Sequence, residues 1–186
     1  TANQYQVFDY QSGMSSFTGG SGIRFGWLWK RYAGFDVVAT NNLTAGDSVP
    51  HNLSQTPEMI WGKIRSTNGS WNVYHKDLNG GTTPEQWRLK IDTDAAQNQN
   101  INAWYNTAPS ATHFTIGGSF AGTNYWPIFM LFSSVSGISK VGSYTGNGTS
   151  GSSTQTISTG FAPRFLIIKN ITESNNWFVL DTTRGW

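Results

Sequence analysis

One polar segment, residues 93–109, carries side chains that could bind a sugar. Trp104 and Tyr105 lie there beside Asn102, among several other Asn and Gln residues. Trp and Tyr combine an apolar ring face with a polar tip, which suits stacking on a sugar ring while amide groups bind its hydroxyls. The sequence therefore predicts Trp104, Tyr105 and Asn102 as a candidate glycan-binding site. The alternative is that Trp104 anchors a long ordered loop to the core.

Acidic residues could supply two further kinds of chemistry. Asp92 and Asp94 have the Asp-x-Asp spacing that can begin a calcium loop, but the Gly and the later Glu of such a loop are missing. The ten carboxylates would allow the acid pair of a glycosidase, although pairs near in sequence, such as Asp77 and Glu85, stand in no characteristic context. We therefore predict no metal site.

Other catalytic groups follow no recognisable pattern. The chain has no Cys, which excludes a thiolate nucleophile, a disulfide and zinc–thiolate sites. Its three His residues, His51, His75 and His113, have no spacing that indicates a Ser–His–Asp triad. The Gly-rich stretches 13–22 and 146–151 lack the Lys-Ser/Thr ending of a phosphate loop. We predict no catalytic residue and no cofactor.

The composition indicates which elements position these side chains. Of 186 residues, 12% are charged and 15% are aromatic, with 21 Gly and 9 Trp. Aromatic residues joined by small turn-forming residues are typical of short strands and tight turns. The net charge is +2 with one short basic cluster at residues 24–31, which does not indicate nucleic-acid binding. The longest apolar run, 126–132, is far shorter than the ~20 residues of a membrane helix.

Alternation of apolar and polar residues predicts a chain of short strands. The candidate segments are 23–30, 59–64, 71–74, 87–92, 112–117, 125–132, 138–145, 153–158, 165–169 and 177–180. Two pairs flank turn residues and predict hairpins, namely 59–64 with 71–74 and 165–169 with 177–180. The pattern predicts an all-β fold with β-sandwich or jelly-roll-like units built from antiparallel hairpins.

The two predicted hairpins are copies of one internal repeat. Residues 57–74 align without a gap with residues 163–180, at an offset of 106. Four aligned pairs are identical: Pro57 and Pro163, Lys63 and Lys169, Trp71 and Trp177, and Val73 and Val179. Because Trp71 and Trp177 recur at equivalent places, we expect both in the core rather than at a sugar-stacking surface.

A weaker similarity between residues 28–34 and residues 131–137 completes the repeat pattern. It predicts three segments: 1–34 is the tail of a preceding unit, 35–137 is a complete β unit, and 138–186 is the start of a second unit. Units interrupted in this way would need partners to cover their edge strands.

Six short strings carry a resemblance to a known kind of protein. They are 35–38, 57–60, 71–78, 104–109, 114–117 and 141–148. In order and spacing they resemble a repeat module of uncharacterised structural proteins, tail-fibre-like or virion-surface, of aquatic tailed bacteriophages. The resemblance implies a β-rich fold and a location in the virion, on the surface of an extracellular particle.

Three hypotheses about function follow. The first is a non-enzymatic virion structural protein, such as a tail fibre, spike or capsid-surface appendage, that contributes to host attachment. Its partners would be copies of itself, as a trimer in a fibre, together with other virion proteins and host surface glycans, without nucleic acid or membrane insertion. The second is a carbohydrate-binding module that recognises host glycans directly. The third is a capsular polysaccharide depolymerase.

Overall fold

The computed structural model describes residues 29–148 and 155–185. Ten short strands make up most of its regular structure: β1 (Phe35–Ala39), β2 (Ser48–Pro50), β3 (Met59–Ile64), β4 (Asn72–His75), β5 (Trp87–Lys90), β6 (Asn98–Gln99), β7 (His113–Thr115), β8 (Pro127–Phe132), β9 (Phe165–Ile168) and β10 (Phe178–Asp181). In the same residues the helical segments are two 3₁₀ turns, Leu78–Gly81 and Pro84–Gln86, and one α-helical turn, α1 (Ile101–Trp104). The predicted all-β fold is confirmed.

Six strands form one antiparallel sheet in the order β1-β8-β3-β4-β5-β6. Strand β8 pairs with β1 on one side and with β3 on the other, so that Phe132 lies opposite both Phe35 and Met59. Successive side chains of a strand point to opposite faces. In β8, Phe129 and Leu131 therefore lie on one face, which we call the inner face, and Phe132 on the other, the outer face.

The inner face is covered by a two-stranded ribbon and by α1. In the ribbon, β2 pairs with β7, and Val49 lies opposite Phe114. The inner core consists of apolar residues that are all at most 7% exposed: Val49, Leu53, Ile60, Tyr74, Ala103, Trp104, Phe114, Ile116, Phe120, Phe129 and Leu131. Burial of this many large side chains provides the main driving force for folding of the sheet.

The outer face carries a second, smaller core. Trp61, Val73, Leu78 and Leu89 are buried there. Partly buried residues pack against these four: Met59, Trp71, Trp87, Ile91, Met130, Phe132, Ile167, Ile171 and Trp177. The last three come from the hairpin of β9 and β10 and its loop, so this hairpin covers part of the outer face.

Some sequence-based expectations about secondary structure are wrong. Residues 138–145 form no strand; Val141 is buried, whereas Ile138 and Tyr144 are 58% and 49% exposed, so these apolar residues do not share one buried face. Residues 155–158 are irregular, and 153–154 lie outside the described residues.

At other places the structure contains elements that the alternation pattern did not predict. Strands β1 and β2 are five and three residues long, and β2 has only one buried residue. The segment 93–109, expected to be a loop, contains the two-residue strand β6 and the single turn of α1. Of the predicted strand 23–30, residues 29 and 30 are not in a strand, and the rest lies outside the described residues.

Candidate functional site

Trp104 ends α1 with its side chain in the inner core. The turn begins at Asn100, whose side-chain Oδ1 accepts a hydrogen bond from the backbone N–H of Asn102 at 3.0 Å, a common N-cap arrangement. The Trp104 side chain is 2% exposed, and its ring centroid lies 6.0 Å from that of Tyr74 and 5.3 Å from that of Phe120. A ring enclosed in this way cannot stack on a sugar. The expectation of a sugar-stacking Trp104 is therefore wrong, and the alternative of a core anchor describes its position.

Tyr105 and Asn102 lie at the surface instead. Tyr105 follows the last residue of α1 in the left-handed conformation, with φ at 51°, and its side chain is 51% exposed. One side of its ring lies against Gly46, where a Cβ would come within 3.1 Å of the Tyr105 Cε1. The exposed Asn102 uses its backbone carbonyl to accept a hydrogen bond from the N–H of Ser119 at 2.8 Å. Two of the three predicted site residues thus remain accessible.

The two hairpins of the internal repeat pair their strands in the same register. In the first hairpin, formed by β3 and β4, Trp61 lies opposite Val73. In the second, formed by β9 and β10, Ile167 lies opposite Val179. Both residues of the second pair lie 106 positions after those of the first. The repeat found in the sequence is therefore also a repeat of structure.

Both copies of this repeat contain a lysine that closes the hairpin loop. Lys63 donates a hydrogen bond from Nζ to the carbonyl of Gly69 at 2.6 Å. Lys169 donates from Nζ to the carbonyl of Asn175 at 2.7 Å. Gly69 and Asn175 are themselves equivalent positions, so the identical lysines have the same role. Burial lowers the pKa of Lys169, and the nearby charge of Asp94 opposes that shift.

The repeated tryptophans both lie against the outer core. Trp71 and Trp177 are partly buried there, which confirms the core expectation for both. Trp177 also donates a hydrogen bond from Nε1 to the carbonyl of Lys90 at 3.0 Å. Nearby, the N–H of Asn175 donates to the carbonyl of Asp94 at 2.9 Å. The second hairpin is therefore attached to the first sheet by both apolar and polar contacts.

The side of the second hairpin that faces away from the outer core is less covered than the equivalent side of the first hairpin. Ile60 and Tyr74 of the first hairpin are 1% and 4% exposed, whereas the equivalent Leu166 and Leu180 are only half-buried. Phe178 is 58% exposed. Within the described residues β9 and β10 pair only with each other, while β3 also pairs with β8 and β4 with β5. The second hairpin thus presents apolar side chains at the surface, and its strands pair with no third strand of the described residues.

A group of titratable residues ties the start of β3 to the end of β8. Glu58 accepts hydrogen bonds from Lys76 Nζ and from the backbone N–H of Ser134, each at 2.5 Å. Burial opposes ionisation of Glu58, but these hydrogen bonds and the charge of Lys76 outweigh it and lower the pKa. In the neighbouring His75, burial disfavours the protonated form and lowers the pKa, and the charge of Asp77 opposes that shift. These contacts hold strands together and resemble no acid–base pair.

The remaining sequence candidates form no metal centre in the structure. Among residues 29–148 and 155–185, no group of three or more His, Asp or Glu side chains could hold a metal ion. In those residues there is also no helix with the length and apolar character needed to span a membrane.

Fold and site together define an all-β module with a duplicated hairpin, whose second copy carries the exposed Phe178. The chain belongs to the DUF7483 family, described as a domain of unknown function, whose family model matches residues 13–185. No curated protein and no solved structure matches the chain.

Proposed function

We propose that the chain is a structural module of a bacteriophage virion, part of a tail fibre, spike or capsid-surface appendage. The observation that carries this proposal is the second hairpin, which repeats the first but leaves Phe178 58% exposed and Leu166 and Leu180 only half-buried. An exposed apolar side of this kind is a place where another unit can pack. The proposal draws its virion location from the resemblance of the six sequence strings to phage structural modules.

The proposed mechanism is assembly through β units. In the first hairpin, the edge of β3 is occupied by β8, and Ile60 and Tyr74 are covered by the inner core. A neighbouring copy of the chain would supply equivalent cover to Leu166, Leu180 and Phe178. Repeated association of this kind gives a stiff particle component, and a closed ring of three copies would leave no edge open.

Sedimentation of the purified chain tests this assembly. We expect a trimer for the wild type and a monomer for Phe178→Lys, because a charge placed on the exposed apolar side opposes burial in an interface. Ser174→Lys adds the same charge in the exposed hairpin loop and should leave the trimer intact. A wild-type chain that stays monomeric at about 100 μM, a concentration well above the Kd of stable assemblies, would contradict the proposed self-association.

Location in the particle needs a separate experiment. Antibodies raised against the chain should label purified virions of the encoding phage in electron micrographs, at the tail or on the capsid surface. Labelling that is confined to the soluble lysate fraction would contradict a virion role.

Direct recognition of host glycans is the second candidate function. The observation that favours it is the ring of Tyr105, which packs against Gly46 and is 51% exposed, together with the exposed Asn102. Binding on a glycan array that is lost in Tyr105→Ala, with unchanged folding, would support this candidate. Equal binding by wild type and variant would exclude Tyr105 as the contact.

A further inference from the structure

A partly buried arginine on the inner face has no anionic partner among the described residues. Arg88 of β5 donates a hydrogen bond from Nη1 to Oδ1 of Asn72 at 2.9 Å. Its Nε atom is enclosed and has no hydrogen-bond partner. The ion pairs formed by the described residues do not include Arg88. Buried polar atoms are almost always hydrogen-bonded, so an enclosed Nε without a partner on this half-buried arginine is a feature that requires an explanation.

The described surroundings of Arg88 supply no compensating negative charge. Loss of hydration lowers the pKa of Arg88, and no neighbouring charge offsets that effect. Even partial loss of hydration is unfavourable for a charge, and a carboxylate beside it would offset that cost. Nine of the ten Asp and Glu residues are described in the structure, and none of them pairs with Arg88.

Arg88 lines a cavity of about 220 Å³, which we call the Arg88 pocket. Lys90, two residues along β5, adds a second positive charge. Ser70, Asn72 and Ser119 add hydroxyl and amide groups. The pocket is smaller than the ~300–1,000 Å³ of sites for drug-sized molecules, so its size suits a single small ring.

We propose that the Arg88 pocket binds one acidic monosaccharide unit through its carboxylate. The planar guanidinium presents N–H groups that match the two oxygens of a carboxylate, and Lys90 adds attraction as a point charge. Hydroxyl and amide groups of the pocket suit the hydroxyls of a sugar ring. This inference is independent of the proposed virion assembly, since the pocket is lined from the first sheet and the exposed Phe178 belongs to the second hairpin.

Titration of the whole chain with glucuronate, followed by calorimetry and by the NMR resonances of Arg88 and Lys90, tests the proposal. We expect glucuronate to bind with a Kd of about 1 mM, in the range of single weak contacts. Glucose lacks the carboxylate and should not bind at that concentration. Acetate provides the carboxylate without the ring and should bind at least tenfold more weakly than glucuronate.

Variants separate the pocket from the rest of the surface. Arg88→Met should weaken glucuronate binding more than tenfold, because the charge-assisted hydrogen bonds are lost. Lys90→Gln should weaken it severalfold, and it keeps the test valid if Arg88→Met does not fold. Lys140→Gln removes an exposed charge outside the pocket and should leave binding unchanged.

Several results would overturn the proposal. One is absence of glucuronate binding at about 50 mM, well above the expected Kd. Others are equal binding of glucose, equal binding of acetate, or equal loss of binding in the Lys140→Gln control. Asp9 is the remaining side-chain carboxylate of the sequence. If glucuronate binds only after Asp9→Asn, then the carboxylate of Asp9 is the partner of Arg88 in the wild-type chain, and the proposal fails.

Discussion

Replacement of Trp104 by alanine tests whether this residue is a core anchor. The side chain is 2% exposed and its ring contacts those of Tyr74 and Phe120. Removal of a buried Trp side chain costs about 3–5 kcal/mol, because apolar burial is lost and a cavity remains. In a domain of this size, 1 kcal/mol shifts Tm by about 2–4 °C, so Trp104→Ala should lower Tm by roughly 6–20 °C.

The matched control is the adjacent Tyr105, whose side chain is 51% exposed. Tyr105→Ala should change the free energy of unfolding by less than about 1 kcal/mol, as is usual for surface residues. Trp104→Phe should cost less than Trp104→Ala, because it keeps an aromatic ring and removes the buried Nε1, which has no hydrogen-bond partner. Urea denaturation followed by circular dichroism measures all three variants.

The reasoning would be refuted if Trp104→Ala were as stable as Tyr105→Ala. That result would mean that the ring can leave the inner core without cost. Loss of glycan binding in a fully stable Trp104→Ala variant would, in addition, restore the stacking role that its burial contradicts.

Two further predictions concern packing and pH. Gly62→Ala should destabilise the chain by about 1–3 kcal/mol in urea denaturation, because overpacking strains a core and a Cβ there would lie 2.6 Å from the Phe120 ring. Gly69→Ala, with no atom within 4 Å of the new Cβ, should be nearly neutral, and equal costs would contradict the prediction. The folded-state pKa of Glu58 lies below its ordinary 4.5, so its contribution to stability is present above pH 4.5 and is lost as pH falls through the folded value. Glu58→Gln should therefore lower Tm at pH 7 and flatten its decline in acid, and an unchanged acid profile would refute that role.

The strongly periodic elements were predictable from the sequence. Strand β8 lies within the longest apolar run of the chain, 126–132, and the two hairpins flank clear turn residues. The offset of 106 predicted equivalent hairpins, and the shared register and the shared lysine contacts agree with it. A continuous apolar run suits β8 because both of its faces pack against a core, Phe129 and Leu131 on the inner side and Met130 and Phe132 on the outer side.

Short edge elements were not predictable in the same way. Strand β2 has one buried residue in three, and its pairing with β7 depends on contacts across more than sixty residues of sequence. The opposite error occurred at 138–145, where a strand was predicted but Ile138 and Tyr144 are exposed and no strand forms. Tertiary contacts decide such cases, because β propensity depends on packing against neighbours.

The sequence by itself determined the all-β class, the duplicated hairpin and the absence of cysteine chemistry, since composition and periodicity are properties of the chain alone. Only the tertiary structure decided that Trp104 is buried while Tyr105 is exposed, because the one turn of α1 directs neighbouring side chains to opposite environments. It also decided that Arg88 stands beside Ser119 in a pocket whose described lining residues include no carboxylate, which no spacing in the sequence indicates. Residues far apart in sequence meet only when the sheet and its covering loops fold together.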